Sequence, residues 1–340
     1  MTERDHWGHG MAEGRERIAR PCEADAVRRT PIAEVMRIFL RKPGFLLSRI
    51  DQIANALYGL ASEGAETLAQ AEMLLAIAAG GGTDQVGLAR ACGVDTSTTG
   101  VILDNLQQAG LVTRVQDRQD RRRSLPMLTD KGRARMPGVA EAFAALQDEM
   151  LRDLDAVARA DLMDQLGRIA RADAEEGEGS APRWDAGTSP FAAAPSLLCR
   201  RALQICHAQF AACVAPLAIT LRQFSALVIL HLHPGLSQVD YARIYGLDPS
   251  TCAIVLKKLA ARGLLAATRS PDDRRKTLYA TTAEGAEQAA IIQPAADRSE
   301  ALVLEPLAPG EVTRFLALLQ AIARRHSPRL RYPGSLPWDA

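Results

Sequence analysis

Between residues 238 and 282 the pattern of apolar and polar positions predicts two short helices followed by a hairpin. The first helix ends at Gly246, a residue suited to the left-handed conformation that closes a helix. Asp248 can accept hydrogen bonds from the first backbone N–H groups of the second helix, and Pro249 fits its first turn. One face of the second helix carries Cys252, Val255, Leu256 and Leu259, and the other carries Ser250, Thr251, Ile254, Lys257, Lys258 and Ala261.

The segment after this helix has the pattern of a β-hairpin with a basic tip. Two β-like runs, residues 264–269 and residues 276–281, are joined by a turn that contains Pro271 and two aspartates. A helix, a glycine turn, a second helix with a polar face and a basic hairpin occur in this order in a winged helix-turn-helix. In that fold the second helix enters the major groove of DNA.

The same pattern occurs twice in the chain. Shifting the sequence by 153 positions places residues 68–132 on residues 221–285 without a gap, and about a third of the aligned positions are identical. The similarity extends upstream, where residues 43–53 match residues 195–205. A repeat of this length predicts two copies of one structural unit.

Helical periodicity extends on both sides of each copy, and the segment between the copies has the composition of a linker. Residues 174–195 are rich in Glu, Gly, Ser, Pro and Ala, as flexible connections are. Near-heptad spacing of apolar residues predicts one long helical stretch over residues 130–173. The other predicted helices cover residues 30–40, 43–60, 68–78, 84–92, 95–109, 195–214, 221–232, 237–245, 248–262, 283–304 and 309–326.

Composition narrows the class of protein. The 340 residues suffice for two domains, and the net charge is only +1, so any attraction to nucleic acid must come from the position of the charges. No apolar run reaches the roughly 18–20 residues that cross a bilayer, and the first 20 residues are charged where a signal peptide would be apolar. We therefore expect a cytoplasmic protein without a membrane partner, with its six cysteines reduced.

Four short motifs occur in both copies at matching spacing. The later copy has Asp248-Pro249-Ser250-Thr251, Arg262-Gly263-Leu264-Leu265, Asp272-Asp273-Arg274-Arg275 and Thr282-x-x-Gly285. The earlier copy has Asp95-Thr96-Ser97-Thr98, Ala109-Gly110-Leu111, Asp120-Arg121-Arg122 and Thr129-Asp130-Lys131-Gly132. With these motifs the chain resembles the MarR family of bacterial transcriptional regulators, and the resemblance covers most of residues 40–326.

The resemblance implies a mainly α fold with small β wings. Two winged helix-turn-helix domains are expected to pack as an intrachain pseudo-dimer through their terminal helices. The expected organisation is a mobile N-terminal extension with a short helix at residues 1–40, a first domain at 41–173, a linker at 174–195, a second domain at 196–326 and a coil tail at 327–340.

MarR-type regulators are typically homodimers, and here both copies lie in one polypeptide. The chain is therefore expected to act as a monomeric pseudo-dimer that addresses two half-sites about 34 Å apart on double-stranded DNA. In the alternative arrangement each copy dimerises with another chain, which the length of the linker permits.

The expected DNA contacts come from the polar face of each second helix and from the wings. Phosphate contacts or minor-groove insertion would suit the wing arginines. The candidate residues are Ser97, Thr98, Gln108, Arg118, Arg121, Arg122 and Arg123 in the first copy, and Ser250, Thr251, Lys257, Lys258, Arg274, Arg275 and Lys276 in the second.

The two copies differ on the face expected to meet DNA. Lys257 and Lys258 in the second copy stand where the first copy has Asp104 and Asn105. Because phosphate contacts supply much of the affinity, the second copy is expected to bind DNA more strongly. The hypothesis that follows is a target with unequal half-sites.

The resemblance also implies a small effector, often an aromatic carboxylate or phenol, bound between the first helix and the DNA-reading unit. Arg49, Arg200 and Arg201 could pair with a carboxylate through bidentate hydrogen bonds, or could form surface or interdomain ion pairs. The function implied is a ligand-responsive repressor that uses no cofactor.

Two alternatives remain open. Cys199, Cys206 and Cys213 recur every seven residues on one predicted helix and could sense oxidants or metals, although cysteine more often packs as a small apolar residue. The winged helices could instead bind a partner protein. Enzymatic activity has little support, because the glycine-rich phosphate loops, the His-Glu-x-x-His metal motif and the serine elbow are absent from the sequence.

Overall fold

The computed structural model describes residues 30–80, 83–117, 124–172 and 181–337, which form two similar mainly helical halves. The first half consists of α1 (Ile32–Phe39), α2 (Pro43–Ala61), α3 (Leu68–Ala79), α4 (Gln85–Cys92), α5 (Thr96–Gln108), β1 (Val112–Gln116), β2 (Ser124–Leu128), α6 (Asp130–Met150) and α7 (Ala156–Arg171).

The second half repeats this order. It consists of α8 (Pro195–Val214), α9 (Leu221–Leu232), β3 (Leu236–Ser237), α10 (Gln238–Tyr245), α11 (Pro249–Ala261), β4 (Leu265–Arg269), β5 (Thr277–Thr281), α12 (Ala283–Leu304) and α13 (Pro309–His326), with short 3-10 helices at Ala215–Leu217 and Ser327–Arg329. We call residues 68–128 head 1 and residues 221–281 head 2.

Local capping explains where the helices of each head begin and end. The Asp95 side chain accepts a hydrogen bond from the Thr98 backbone N–H, and Asp248 accepts from the N–H groups of Ser250 and Thr251. The turn before each of these helices contains a glycine in the left-handed conformation, Gly93 with φ 61° and Gly246 with φ 71°. The predicted helix-turn-helix is confirmed in both heads.

Each head ends in an antiparallel wing. In head 1, β1 pairs with β2 from Val112 opposite Leu128, and in head 2, β4 pairs with β5 from Leu265 opposite Thr281. Head 2 has a third strand that the sequence did not predict, the two-residue β3, which pairs with β5 at Tyr279 and Leu278. Two residues are too few to show a strand pattern, so only the fold reveals this pairing.

The long helical stretch predicted over residues 130–173 consists of two helices, α6 and α7. Asp155 starts α7, since its side chain accepts a hydrogen bond from the Ala158 backbone N–H at 2.8 Å. The matching break in the second half separates α12 from α13. The two shorter helices can then fold back and reach the other half of the molecule.

Segments predicted as linker and coil tail also contact the heads. In residues 181–194, the Asp185 N–H donates to the Arg90 carbonyl at 3.1 Å and the rings of Phe191 and Phe143 lie 5.4 Å apart. In the tail, the Ser335 N–H donates to the Ile244 carbonyl at 3.0 Å. Both segments therefore form part of the folded structure over these residues.

The two halves pack in a pseudo-symmetric way through their long N-terminal helices, α2 and α8, and their last helices, α7 and α13. Helix α2 packs against α8, α7 packs against α8, and α13 packs against both α2 and α7. Two ion pairs join α7 to α13, Arg168 with Glu311 at 2.5 Å and Arg314 with Asp161 at 2.5 Å. The described residues thus join the two heads through terminal helices, an arrangement that is consistent with the expected pseudo-dimer.

Within the described part of the chain, no single helix is long and apolar enough to cross a membrane. One bent pair, Pro195–Leu217 with Leu221–Leu232, has the length and composition of a span only when the two are taken together. Both members of this pair contribute buried side chains to the core of the second half.

Arg49 of α2 makes the most extensive polar contact between the halves. Its side chain is 2% exposed and donates hydrogen bonds to the carbonyl oxygens of Tyr245 at 2.8 Å, Gly246 at 3.2 Å and Tyr332 at 3.1 Å. Burial lowers the pKa of Arg49 to about 10, so the guanidinium remains charged at neutral pH. Arg49 therefore attaches the end of α10 in head 2 to the first helix of the other half.

Replacing Arg49 with alanine should lower the free energy of unfolding by about 2–4 kcal/mol, because buried carbonyl groups would lose charged donors. Urea denaturation followed by circular dichroism measures this change. Arg243→Ala is the matched control, since its pair with Asp240 lies on the surface of α10 and contributes less than about 0.5 kcal/mol. Equal destabilisation of the two variants would show that Arg49 does not join the halves.

Candidate nucleic-acid interface and effector cavity

The outer face of α11 in head 2 presents two lysines. Lys257 and Lys258 are both exposed, whereas Val255, Leu256 and Leu259 on the opposite face are buried. At the start of α11 the Ser250 hydroxyl donates to the Asp248 carboxylate, and Thr251 is half-buried beside it. The predicted division of α11 into a packed face and a free basic face is confirmed.

The start of α5 in head 1 has the same arrangement with a different electrostatic environment. The hydroxyls of Ser97 and Thr98 donate to the Asp95 carboxylate at 2.6 and 2.7 Å. These bonds lower the pKa of Asp95 to about 2. Ser97, Thr98 and Gln108 are exposed, as predicted for residues that reach DNA.

Farther along α5 an acidic residue is neutralised by the wing. Arg114 of β1 donates to Asp104 at 2.6 Å and to Gln107 at 2.8 Å. The face of α5 therefore has no net charge from this pair, whereas the equivalent face of α11 carries two lysines. Arg262, which follows α11, donates to the carbonyls of Leu217 and Ala218 at 2.9 Å and is engaged within its own half.

The wing tip of head 2 carries exposed cations. Arg274, Arg275 and Lys276 are exposed, and Arg275 makes a surface contact of 3.3 Å with Asp273. The counterparts predicted for head 1, Arg118, Arg121, Arg122 and Arg123, lie outside the described residues.

The three arginines proposed to bind an effector carboxylate are engaged in contacts within the protein. Arg200 donates to the Glu72 carboxylate at 2.5 Å and to the Cys92 carbonyl at 2.8 Å. Arg201 donates to the carbonyl of Pro182, and Arg49 to the carbonyls at the end of α10. These contacts favour the second of the two interpretations, interdomain bonding, over binding of an effector.

A cavity of about 160 Å³ lies beside head 2, where the first helix of the other half reaches α9. Its lining comes from α1, α2, α8, α9, α10 and α12. The apolar lining includes Phe39, Phe45, Phe224, Val228 and Val303, and the polar lining includes Lys42, Ser48, Arg222, Ser225 and Glu300.

Arg222 is the lining cation available to an anion in this cavity. Lys42 already pairs with Glu300 at 3.0 Å and Asp297 at 3.3 Å, whereas Arg222 has no hydrogen bond or ion pair among the described residues. The sequence contained one signal for this site, a difference between the two copies. Arg222 lies two residues after the N-cap Thr220, and the first copy has Ala69 at the equivalent position. An apolar cavity with one guanidinium that lacks a hydrogen bond or ion pair among the described residues suits a small aromatic anion.

The cysteines of α8 pack as apolar residues. Cys199 and Cys206 are buried, Cys213 is half-buried, and burial raises the pKa of the Cys206 thiol to about 12. Burial and the nearby Arg222 charge lower the pKa of His207. Because the thiolate is the reactive form, burial disfavours reaction of the Cys206 thiol. The described residues contain no group of three His, Cys, Asp or Glu side chains suited to a metal.

Together, two helix-turn-helix units, two wings and an exposed basic helix face define a winged-helix DNA-binding protein. Models of the MarR family match residues 67–123 and residues 219–277, one in each head. The chain belongs to the MarR family, as two fused copies, and is a DNA-binding transcriptional regulator.

The chain is also similar to individual proteins. The chain is similar to the HTH-type transcriptional repressor Rv2887 of Mycobacterium tuberculosis, with 29% identity over 34% of this chain and 82% of the relative. It is 30% identical to the repressor NicR of Pseudomonas putida over 30% of this chain and 65% of the relative. A solved structure of Bordetella bronchiseptica BpsR, whose DNA binding is regulated by 6-hydroxynicotinic acid, is 31% identical over 37% of this chain and 90% of that chain, with a TM-score of 0.35.

Replacing Lys257 and Lys258 together with alanine should weaken DNA binding and reduce its salt slope by about one unit for each phosphate that is no longer neutralised. Fluorescence anisotropy at several salt concentrations measures the slope, and footprinting shows which half-site becomes unprotected. The paired control, Asp104→Ala with Asn105→Ala in head 1, should change the slope much less. Equal weakening at both half-sites by either change would mean that the heads are equivalent.

Proposed function

We propose that one chain binds one operator with two half-sites, and that a small aromatic acid in the cavity beside head 2 weakens this binding. In this proposal residues 41–173 and 196–326 act as the two domains of an intrachain pseudo-dimer. DNA contact is assigned to the predicted helix and wing residues of both heads. The observation that carries the proposal is the mutual packing of α2, α7, α8 and α13.

The terminal helices support a single-chain unit because each half supplies the surface that the other needs. Helices α2 and α13 pack together across the halves, and α7 and α8 do the same at the pseudo-symmetric position. Ser48 of α2 lines the cavity beside head 2, so this cavity is complete within one chain. This arrangement supports a unit that needs no second chain for the core or the cavity.

Charge supports unequal contributions from the two heads. The Lys257 and Lys258 ammonium groups are free to contact phosphates, whereas the Asp104 carboxylate is held by Arg114. Head 2 is therefore assigned the stronger half-site. Head 1 is assigned the weaker one, which it contacts through Ser97, Thr98, Gln108 and its wing.

The cavity chemistry supports an anionic aromatic effector. The rings of Phe39, Phe45 and Phe224 line the cavity together with aliphatic side chains, and Arg222 supplies a positive charge. The Tyr245 side chain lines the same cavity while its carbonyl oxygen accepts from Arg49. An effector that binds better to one position of head 2 would shift the population of head arrangements.

Light scattering should give the mass of one chain, about 37 kDa, for the free protein and of one chain plus one duplex for the complex with operator. The reason is that both heads and the whole helical core are present in one polypeptide. Two chains on one short operator, without a smaller species, would rule out the pseudo-dimer.

Thermal-shift screening of a panel of aromatic carboxylic acids, including 6-hydroxynicotinic acid and benzoate, should find a compound that binds. This compound should weaken operator binding in gel shifts. Arg222→Ala should abolish the response, because the carboxylate loses its cation, and Arg222→Lys should retain part of it. Arg243→Ala is the surface control with a normal response. If the panel has no effect and thiol oxidants release DNA, the cysteine-sensing alternative replaces this one.

A further inference from the structure

The two halves differ at the position of the effector cavity. In head 2 the cavity is lined by Ser48 from α2 and by Ser225 from α9. Residues 43–53 align with residues 195–205, and head 1 aligns with head 2 at a shift of 153 positions. The counterpart of Ser48 is therefore Arg200, and the counterpart of Ser225 is Glu72.

These two counterparts fill the space that the serines leave open. Arg200 of α8 and Glu72 of α3 form an ion pair of 2.5 Å, and the Glu72 side chain is 1% exposed. Beside this pair, the crevice lined by Cys92, Trp184 and Arg200 has a cavity volume of about 0 Å³, too small for a water molecule. The positions that line the cavity of about 160 Å³ with Ser48 and Ser225 in head 2 thus hold a buried ion pair in head 1.

The two sites also differ in how their charged groups are paired. Head 2 has a guanidinium without a hydrogen-bond or ion-pair partner among the described residues, Arg222, whereas head 1 has the apolar Ala69 at that position. Head 1 instead has a guanidinium, Arg200, that is already paired with a carboxylate of the same chain. A bound aromatic acid would supply to head 2 the carboxylate that Glu72 supplies permanently to head 1.

We propose that the Glu72 carboxylate, held by Arg200, is a built-in substitute for an effector in head 1, so that the chain takes one carboxylate ligand, at head 2. The inference rests on the proposed effector cavity. It adds that each chain binds one effector and that the effector binds only at head 2. Head 1 is held in one state by its own residues, and only head 2 responds to an effector.

The pairing is also stable enough to act as a permanent feature. Arg200 donates through its second terminal nitrogen to the Cys92 carbonyl at the end of α4, so both ends of the contact are held by the fold. Removal of one partner would leave the other as an uncompensated buried charge, which is strongly unfavourable. Glu72 Oε1 has no hydrogen-bond partner among the described residues, so the carboxylate is bound through one oxygen.

The test removes the Glu72 carboxylate from head 1 in a variant whose head 2 lacks the Arg222 guanidinium. In the background Arg222→Ala, the further change Glu72→Ser should lower the melting temperature, and millimolar sodium benzoate should restore part of that decrease by pairing with Arg200. Benzoate should not shift the melting temperature of Arg222→Ala alone. Neutral benzamide at the same concentration should not restore Glu72→Ser/Arg222→Ala, because it offers no negative charge.

Glu72→Gln/Arg222→Ala is the control for volume, because glutamine fills the space without the charge and should leave no room for benzoate. If Glu72→Ser/Arg222→Ala does not fold, the variant Ala69→Arg/Glu72→Ser/Arg200→Ser copies the residues of head 2 into head 1. Calorimetry should then count two benzoate sites per chain in this variant and one in the unmodified protein.

The outcomes separate this inference from the effector proposal. Two benzoate sites on the unmodified chain, or no rescue of Glu72→Ser/Arg222→Ala and no second site in the copied variant, would overturn the inference. A different outcome is rescue of Glu72→Ser/Arg222→Ala by benzoate together with no benzoate effect on the unmodified chain. It would support the role of Glu72 in head 1 and would refute the cavity of head 2 as a carboxylate site.

Discussion

The structure depends on two equivalent contacts between a long helix of one half and the C-terminal end of a short helix in the opposite head. Helix α2 contacts the end of α10, and α8 contacts the end of α4. Arg49 of α2 donates to Tyr245 and Gly246 in head 2. At the equivalent carbonyls of head 1, Arg200 donates to Cys92 and Gln204 donates to Gly93. The last carbonyl groups of a helix lack partners within it and carry partial negative charge, so these donors complete both ends. These bonds attach each head to the long helix of the opposite half, and α2 and α8 pack against each other.

Fusion of two copies allows these equivalent contacts to be made by different residues. In a symmetric homodimer one substitution changes both halves, whereas here each half can change alone. Arg49 aligns with Arg201, yet Arg200 and Gln204 make the corresponding contact in head 1. Because Arg200 is used there, it can also pair with Glu72 and fill the region that stays open in head 2. The unequal reading helices follow the same principle.

The cavity and the DNA-reading helix of head 2 are connected through few intermediates. The Tyr245 ring lies at the cavity wall and stacks near Tyr241, with centroids 5.8 Å apart. The Tyr245 carbonyl is held by Arg49, and the turn at Gly246 leads directly to Asp248, which caps α11. In the proposed response to an effector, a change in the cavity acts on the turn that orients α11. Packed side chains transmit such a change because interiors are dense and deform little.

Local signals in the sequence were sufficient for the repeat, most of the order of elements and most helix bounds, although they missed β3. The bounds of α8, α9, α12 and α13 coincide with the predicted ones, because prolines, threonine caps and apolar periodicity act within one or two turns. The exposed face of α11 followed from the same periodicity. The roles of Lys257 and Lys258 on DNA remain a prediction.

Tertiary structure alone decided which charged residues meet. Arg200 and Glu72 are 128 positions apart, and Arg49 and Tyr245 are 196 positions apart, so no local pattern could join them. For the same reason the sequence offered Arg49, Arg200 and Arg201 as effector ligands, and only the fold showed them bonded within the protein and left Arg222 in the cavity. Periodicity determines which face of a helix is buried, but the partner across that face depends on how the two halves pack.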